Sequence, residues 1–207
     1  MADAPTLDDG LLVERLRAGD EAAFRGLVSS MHRSLMRLAL ACVASQAAAE
    51  EVVQETWLAV VGQIDRFEAR SSLRTWVAAI LVNRAKTRGA RDKRTVPFSA
   101  IAKEDLDPVE PERFTAAGFW SPPPVRWDDG PESLALRKEA CEAIERELGT
   151  LPETQRTVVT LRDLEGWTSE EVCNVLGLSE TNQRVLLHRG RQRLRAALER
   201  YHSGASR

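Results

Sequence analysis

The sequence predicts an all-α protein of two helical domains, at 7–95 and 132–201, joined by a long acidic linker at 96–131 that contains prolines and aromatics. Three observations carry that prediction. Apolar residues recur at three- and four-residue steps through 7–92, the period of an amphipathic helix. Thr168–Arg195 reads as a short helix, a tight turn and a basic helix. Between these regions the periodicity vanishes, and seven of the nine prolines fall within 96–131.

Asp8 or Asp9 caps a short first helix that ends at Gly19. Asp20 starts a longer one, with Phe24, Leu27, Val28, Met31, Leu35, Leu38 and Cys42 on its apolar face. Ser45 caps a third helix whose inward positions are Val52, Val53, Trp57, Val60 and Val61. Gly62–Ser71 is a loop containing Phe67, after which Ser71 or Ser72 caps a fourth helix. Leu73, Trp76, Val77, Ile80 and Leu81 point inward there, and a basic cluster sits at the far end, where cations also suit the helix dipole. The linker is too long for a passive connection and unusually aromatic, with Phe114, Phe119, Trp120 and Trp127. Those aromatics are expected to dock, either on the protein's own domains or on a partner.

The second unit opens with a helix over about Glu132–Leu148, followed by one that starts at Leu151-Pro152. Glu165-Gly166 makes the next turn. Thr168 then caps a helix, with Glu171 completing a capping box three residues on. Gly177 stands where a helix C-terminus needs a left-handed residue, Leu178 fills the angle between helices, and Ser179 caps the last helix. This is a helix-turn-helix, whose second helix enters a DNA major groove.

Net charge is −2, so bulk charge does not mark a nucleic-acid binder. Its distribution does. Two basic runs, Arg84–Arg94 and Arg184–Arg207, flank the acidic middle, and each lies on a predicted helix. Cys42, Cys141 and Cys173 are widely spaced in apolar surroundings and read as small hydrophobes, with no zinc or disulfide pattern. The acidic start lacks the apolar core of a signal peptide, and no stretch suffices for a membrane span; a cytoplasmic protein is expected.

The sequence contains no phosphate loop, H-E-x-x-H or nucleophile elbow, so neither enzyme activity nor a cofactor is expected. Glu50, Glu51 and Glu55 read as a solvated or protein-binding face. Near the start of the last helix, Glu180, Thr181, Asn182, Gln183 and Arg184 are placed to reach base edges, Asn and Gln suiting adenine and Arg suiting guanine. Arg189, Arg191 and Arg193 suit phosphates, and at least two of Val185, Leu186 and Leu187 belong to the core. On the fourth helix, Thr75, Trp76 and Asn83 lie among cations, a combination suited to stacking on unpaired bases; Trp76 also has the spacing of a core residue.

Three segments resemble the extracytoplasmic-function (ECF) sigma factors of bacterial RNA polymerase. Ala48–Val60 resembles the family's polymerase-binding helix, Arg66–Arg88 its promoter-melting segment, and Leu151–Arg195 its C-terminal promoter-binding domain. The resemblance implies that Glu51, Gln54, Glu55 and Trp57 meet the β′ clamp helices of core RNA polymerase, with the β flap as a further contact. It implies −10 contacts from Phe67, Arg70, Ser71, Ser72, Thr75, Trp76, Asn83, Arg84, Lys86 and Arg88, the loop at Phe67–Ser72 capturing a flipped base. It implies −35 contacts from Thr181, Asn182, Gln183, Arg184, His188, Arg189 and Arg191, a linker threaded through the polymerase interior, and an anti-sigma partner. Glu51 stands where the family usually has Asp, and Thr87 where many members carry Asp. Val185 and Leu186 replace polar or basic residues and imply a distinct −35 preference. The competing reading is a helix-turn-helix regulator that acts without polymerase; it leaves the basic fourth helix unexplained. A decoy that mimics one sigma domain would not need the basic recognition helix.

Overall fold

The computed structural model describes residues 7–92 and 131–205; the linker aromatics and Lys93 and Arg94 lie outside them. The helices are α1 (Leu7–Arg17), α2 (Glu21–Cys42), α3 (Gln46–Gln63), α4 (Leu73–Asp92), α5 (Pro131–Thr150), α6 (Glu153–Val159), α7 (Ser169–Leu176) and α8 (Glu180–Ala205). A 3-10 turn, Ile64–Arg66, follows α3, and a π turn, Thr160–Leu164, prolongs α6.

Local chemistry sets the N-terminal boundaries. Gly19 turns the chain with φ +75°, and the Asp20 carboxylate accepts from the N–H groups of Ala22 and Ala23. The Ala23 N–H, then the Arg15 guanidinium, hold that carboxyl below its ordinary pKa. Ser45 Oγ accepts from Ala48 N at 3.2 Å, and Ser72 Oγ accepts from Thr75 N at 3.2 Å, which makes Ser72 the cap of α4. Arg17 pins the loop after α3 by donating to Phe67 O at 2.6 Å.

Helices α2, α3 and α4 pack pairwise around Leu35, Leu38, Val52, Val53, Leu73, Val77 and Leu81, all almost fully buried. Val61 departs from its expected inward position. It is 58% exposed, because the buried arc of α3 runs through Val53, Val60 and Ile64, and Val61 lies one residue, about 100°, off it. Leu58 is also exposed.

In the second unit α8 packs on both α5 and α6, and α7 crosses α8. The two units share one core. α4 packs against α7 and α2 against α6, and a single apolar cluster runs from Val13 through Val77 to Val158, Trp167 and Leu187.

Gly190 marks the closest approach in the C-terminal unit. A Cβ there would stand 2.5 Å from Val159 Cγ2. Val159 is fully buried and β-branched, so it has little rotamer freedom with which to retreat. Gly190→Ala is expected to lower unfolding free energy by about 1–3 kcal/mol despite alanine's better helix propensity, as measured by urea denaturation. An unchanged or raised midpoint would contradict this packing.

Candidate nucleic-acid interface

The helix-turn-helix forms as its sequence dictates. Thr168 Oγ1 accepts from Glu171 N at 3.2 Å and the Glu171 carboxylate accepts from Thr168 N at 2.7 Å. Gly177 ends α7 with φ +69°, a conformation a side chain resists. Ser179 Oγ then accepts from Asn182 N at 3.3 Å. The result presents Thr181, Asn182, Arg184 and Val185 on an exposed edge at the start of α8. Glu180 holds Arg184 loosely at 3.3 Å, and both remain well exposed.

Gln183 does not belong to that edge. It is 1% exposed, and its Oε1 accepts from Ser169 Oγ at 2.9 Å. The reason is periodic: Gln183 shares a face with Leu186, Leu187 and Leu194, all buried. Arg191 is tied to Asp163 through two hydrogen bonds at 2.9 and 2.6 Å. His188 and Arg189 are half-buried. Burial, then the Arg191 charge, lower the pKa of His188.

The fourth helix and its preceding loop divide similarly. Arg70, Asn83 and Arg84 are exposed, and Ser71 and Arg88 are partly so. Phe67 and Ser72 are buried: the Phe67 ring packs on Trp76 at 5.2 Å between centroids, and Ser72 caps the helix. They shape the loop and do not face solvent for a flipped base. Thr75 is 5% exposed, because α7 covers it. On α3, Glu51, Gln54 and Glu55 form an exposed acidic edge. Trp57 turns from it to meet Phe24 edge-on at 5.9 Å and is half-buried. Arg88 pairs with Glu51, and Arg84 approaches Glu55 at 3.8 Å, which sets the acidic and basic edges side by side.

Residues without an assigned role meet Thr75 and Lys86 where the units join. Glu165 carries a side chain only 5% exposed, and its carboxylate accepts from Ser34 Oγ and Arg37 Nε. Arg74 Nη2 donates to Glu165 O at 2.8 Å, and its guanidinium lies over the Trp167 ring, 4.6 Å from the centroid. Thr75 Oγ1 reaches Glu171 Oε1 at 3.5 Å, and Lys86 Nζ reaches Leu176 O at 3.4 Å. Arg156 Nε donates to Ala41 O at 2.9 Å. Cys42 Sγ faces Thr157 Oγ1 at 3.7 Å, and burial pushes the thiol pKa up to about 12.

Comparison with known families separates the competing readings. Residues 27–95 match the Sigma-70 region 2 model and residues 141–194 the Sigma-70, region 4 model. The chain is 31% identical over 186 residues, 90% of its length, to the ECF RNA polymerase sigma-E factors of Salmonella typhimurium and Escherichia coli, covering 92% of each. The chain belongs to the ECF sigma factors. The RNA polymerase sigma-H factor of Pseudomonas aeruginosa is 28% identical over 191 residues, 92% of this chain and 94% of that protein. Among solved structures, CnrH in complex with the cytosolic domain of CnrY has a similar fold, with a TM-score of 0.57 and 22% identity. It covers 92% of this chain and 97% of CnrH. The sigma factor RpoE from Bartonella quintana, in complex with the anti-sigma factor NepR, gives a TM-score of 0.58 at 19% identity over 85% of this chain and 96% of that one.

This sigma factor therefore directs RNA polymerase to promoters, and the regulator reading falls because it leaves the region 2 match unexplained. Its recognition helix has a pH signature. Since His188 is held below the ordinary imidazole value, the unfolded chain binds that proton more readily. The stabilising contribution is present above about pH 6.5 and is lost as pH falls below it. His188→Gln is expected to retain more of its neutral-pH stability at pH 5 than wild type does, in paired denaturation curves. Parallel losses in the two proteins would remove His188 from the account.

Proposed function

We propose a division of labour among the exposed edges of this ECF sigma factor. Glu51, Gln54 and Glu55 bind the β′ clamp helices of core RNA polymerase, and a further contact is made with the β flap. Arg70 and Ser71 on the loop, with Asn83, Arg84, Lys86 and Arg88 on α4, take the unpaired −10 strand. Thr181, Asn182 and Arg184 read the −35 duplex, while His188, Arg189 and Arg191 lie along the phosphate backbone. Trp57, Phe67, Ser72 and Gln183 are given structural roles, and Thr75 and Trp76 contribute at the −10 element only once uncovered.

The observation that carries this reading is the capped helix-turn-helix. It leaves Asn182 and Arg184 exposed at the start of a basic helix, while Leu186 and Leu187 anchor the other face. Side chains near that terminus are the ones a major groove admits. The exposed Val185 adds an apolar contact of the kind that suits a thymine methyl. The sigma factor RpoE was solved with the anti-sigma factor NepR and CnrH with the cytosolic domain of CnrY, and a partner of the anti-sigma class is proposed here. No helix among the described residues is long and apolar enough to cross a membrane, in keeping with action in the cytoplasm.

The test is run-off transcription with purified core polymerase and the promoter region of the protein's own operon. A discrete product is expected, and it should vanish in the Asn83→Ala, Arg184→Ala double variant. Arg184→Ala alone should weaken binding to the correct −35 duplex by about 1–3 kcal/mol and leave non-specific DNA binding nearly unchanged. A uniform loss on all duplexes would instead make Arg184 a phosphate contact.

A further inference from the structure

Among the exposed residues at the start of α8, Glu180 is the one whose charge DNA should reject. It opens the helix, and its carboxylate accepts from Arg184 Nη2 at 3.3 Å, one turn on. The side chains of Glu180 and Arg184 are 64% and 75% exposed, and a pair so exposed contributes little to folding. Five arginines lie on α8 between Glu180 and the next acid, Glu199. A helix tip that enters a major groove meets the negative potential of the phosphates on either side. A carboxylate there lowers affinity for every sequence unless a base donor satisfies it.

The major-groove edge of a G·C pair supplies such a donor beside the acceptors that an arginine needs. Guanine offers N7 and O6, and cytosine offers its N4 amino group. O6 and N4 are hydrogen-bonded to one another within the pair. Side chains that bind them must therefore stand side by side, as Arg184 and Glu180 do. The guanidinium supplies two donors and the carboxylate an acceptor. The linked pair thus presents donor, donor, acceptor to an edge that reads acceptor, acceptor, donor. An A·T pair presents N7, the N6 amino group and thymine O4. There the amino group would meet the guanidinium and O4 would meet the carboxylate, and both contacts fail. A C·G pair presents the matching groups in reverse order. Glu180 and Arg184 are i, i+4 neighbours on one face of α8, at the end from which base edges are reached.

We propose that Glu180 is a specificity-determining residue of this factor, forming with Arg184 one reading unit for a single G·C pair of the −35 element, the arginine on guanine and the carboxylate on cytosine N4. The proposal rests on the assignment of the start of α8 to the −35 duplex. By its charge the acid weakens binding to all duplexes, and by its geometry it sharpens discrimination at one position.

The test uses holoenzyme assembled from core polymerase and the full chain, with duplexes of the promoter region of the protein's own operon. Each G·C pair of the −35 region is changed in turn to A·T, and binding is measured for wild type, Arg184→Ala and Glu180→Ala. In wild type, the change at the pair read by this unit is expected to cost about tenfold in affinity. Arg184→Ala and Glu180→Ala should each reduce that penalty severalfold at the same pair and leave the penalties at other pairs unchanged. Glu180→Ala should also bind a duplex with a scrambled −35 region more tightly than wild type does, since one negative charge has gone.

A modified base isolates the carboxylate contact. At the identified pair, N4-methylcytosine still pairs with guanine but places a methyl group where the outward amino hydrogen stood. It should weaken wild-type binding about fivefold and leave Glu180→Ala unaffected. A Glu180→Ala penalty profile identical to that of wild type overturns the proposal, and so does a wild-type holoenzyme indifferent to the N4-methyl group. An equal loss on every duplex would place Glu180 at a protein contact and overturns it as well. Failure of the −35 assignment itself shows differently: Arg184→Ala would then retain every wild-type penalty.

Discussion

One buried carboxylate holds the architecture in its described form. Glu165 lies in the turn between the π-extended α6 and the helix-turn-helix, nearly removed from water. A charge in that position is costly unless it is paired and hydrogen-bonded. Ser34 and Arg37 of α2 supply the bonds, and the same turn offers its carbonyl to Arg74 and its neighbouring indole to the Arg74 guanidinium. These contacts tie one turn of the C-terminal unit to both α2 and α4. Apolar packing completes the join, with Val158 and Trp167 almost fully buried in the shared core.

The local parts of the fold were legible because their causes lie within a few residues. Asp20, Ser45, Thr168 with Glu171, and Gly177 each satisfy or terminate a helix end through atoms two to four residues away. The burial of Gln183 was also legible in principle. Its place one turn before Leu186 and Leu187 outweighs its polarity, and Ser169 supplies the bond its amide oxygen needs. Trp57 illustrates the converse: it lies beside the acidic edge in sequence, yet its ring belongs to the α2 contact. Residue type suggested chemistry at both positions, and helical phase decided it.

The join between units was not legible, for a physical reason. The partners of Glu165 lie 128 and 131 residues away, and no spacing rule connects an acid in a turn to an arginine in a distant helix. A faint signal exists in α4, where Ala78, Val82 and Ala85 are buried alongside the principal Leu73–Val77–Leu81 stripe. A helix with so wide an apolar arc has more than one neighbour to satisfy. That arc implies a second packing partner without naming it as α7.

The same helix also shows why its charges can serve more than one partner. Arg88 and Arg84 lean toward Glu51 and Glu55, so the basic and acidic edges partly neutralise each other in the free chain. All four side chains retain substantial exposure, and exposed pairs of this kind contribute at most about 1 kcal/mol. They are therefore easily exchanged for stronger partners. A basic surface that draws the two glutamates away would leave the arginines uncompensated beside Asn83, and an unpaired nucleic-acid strand is the ligand that uncompensated arginines suit. Engagement at α3 and strand capture at α4 would then favour one another through ordinary charge balance, with no movement of the backbone between them.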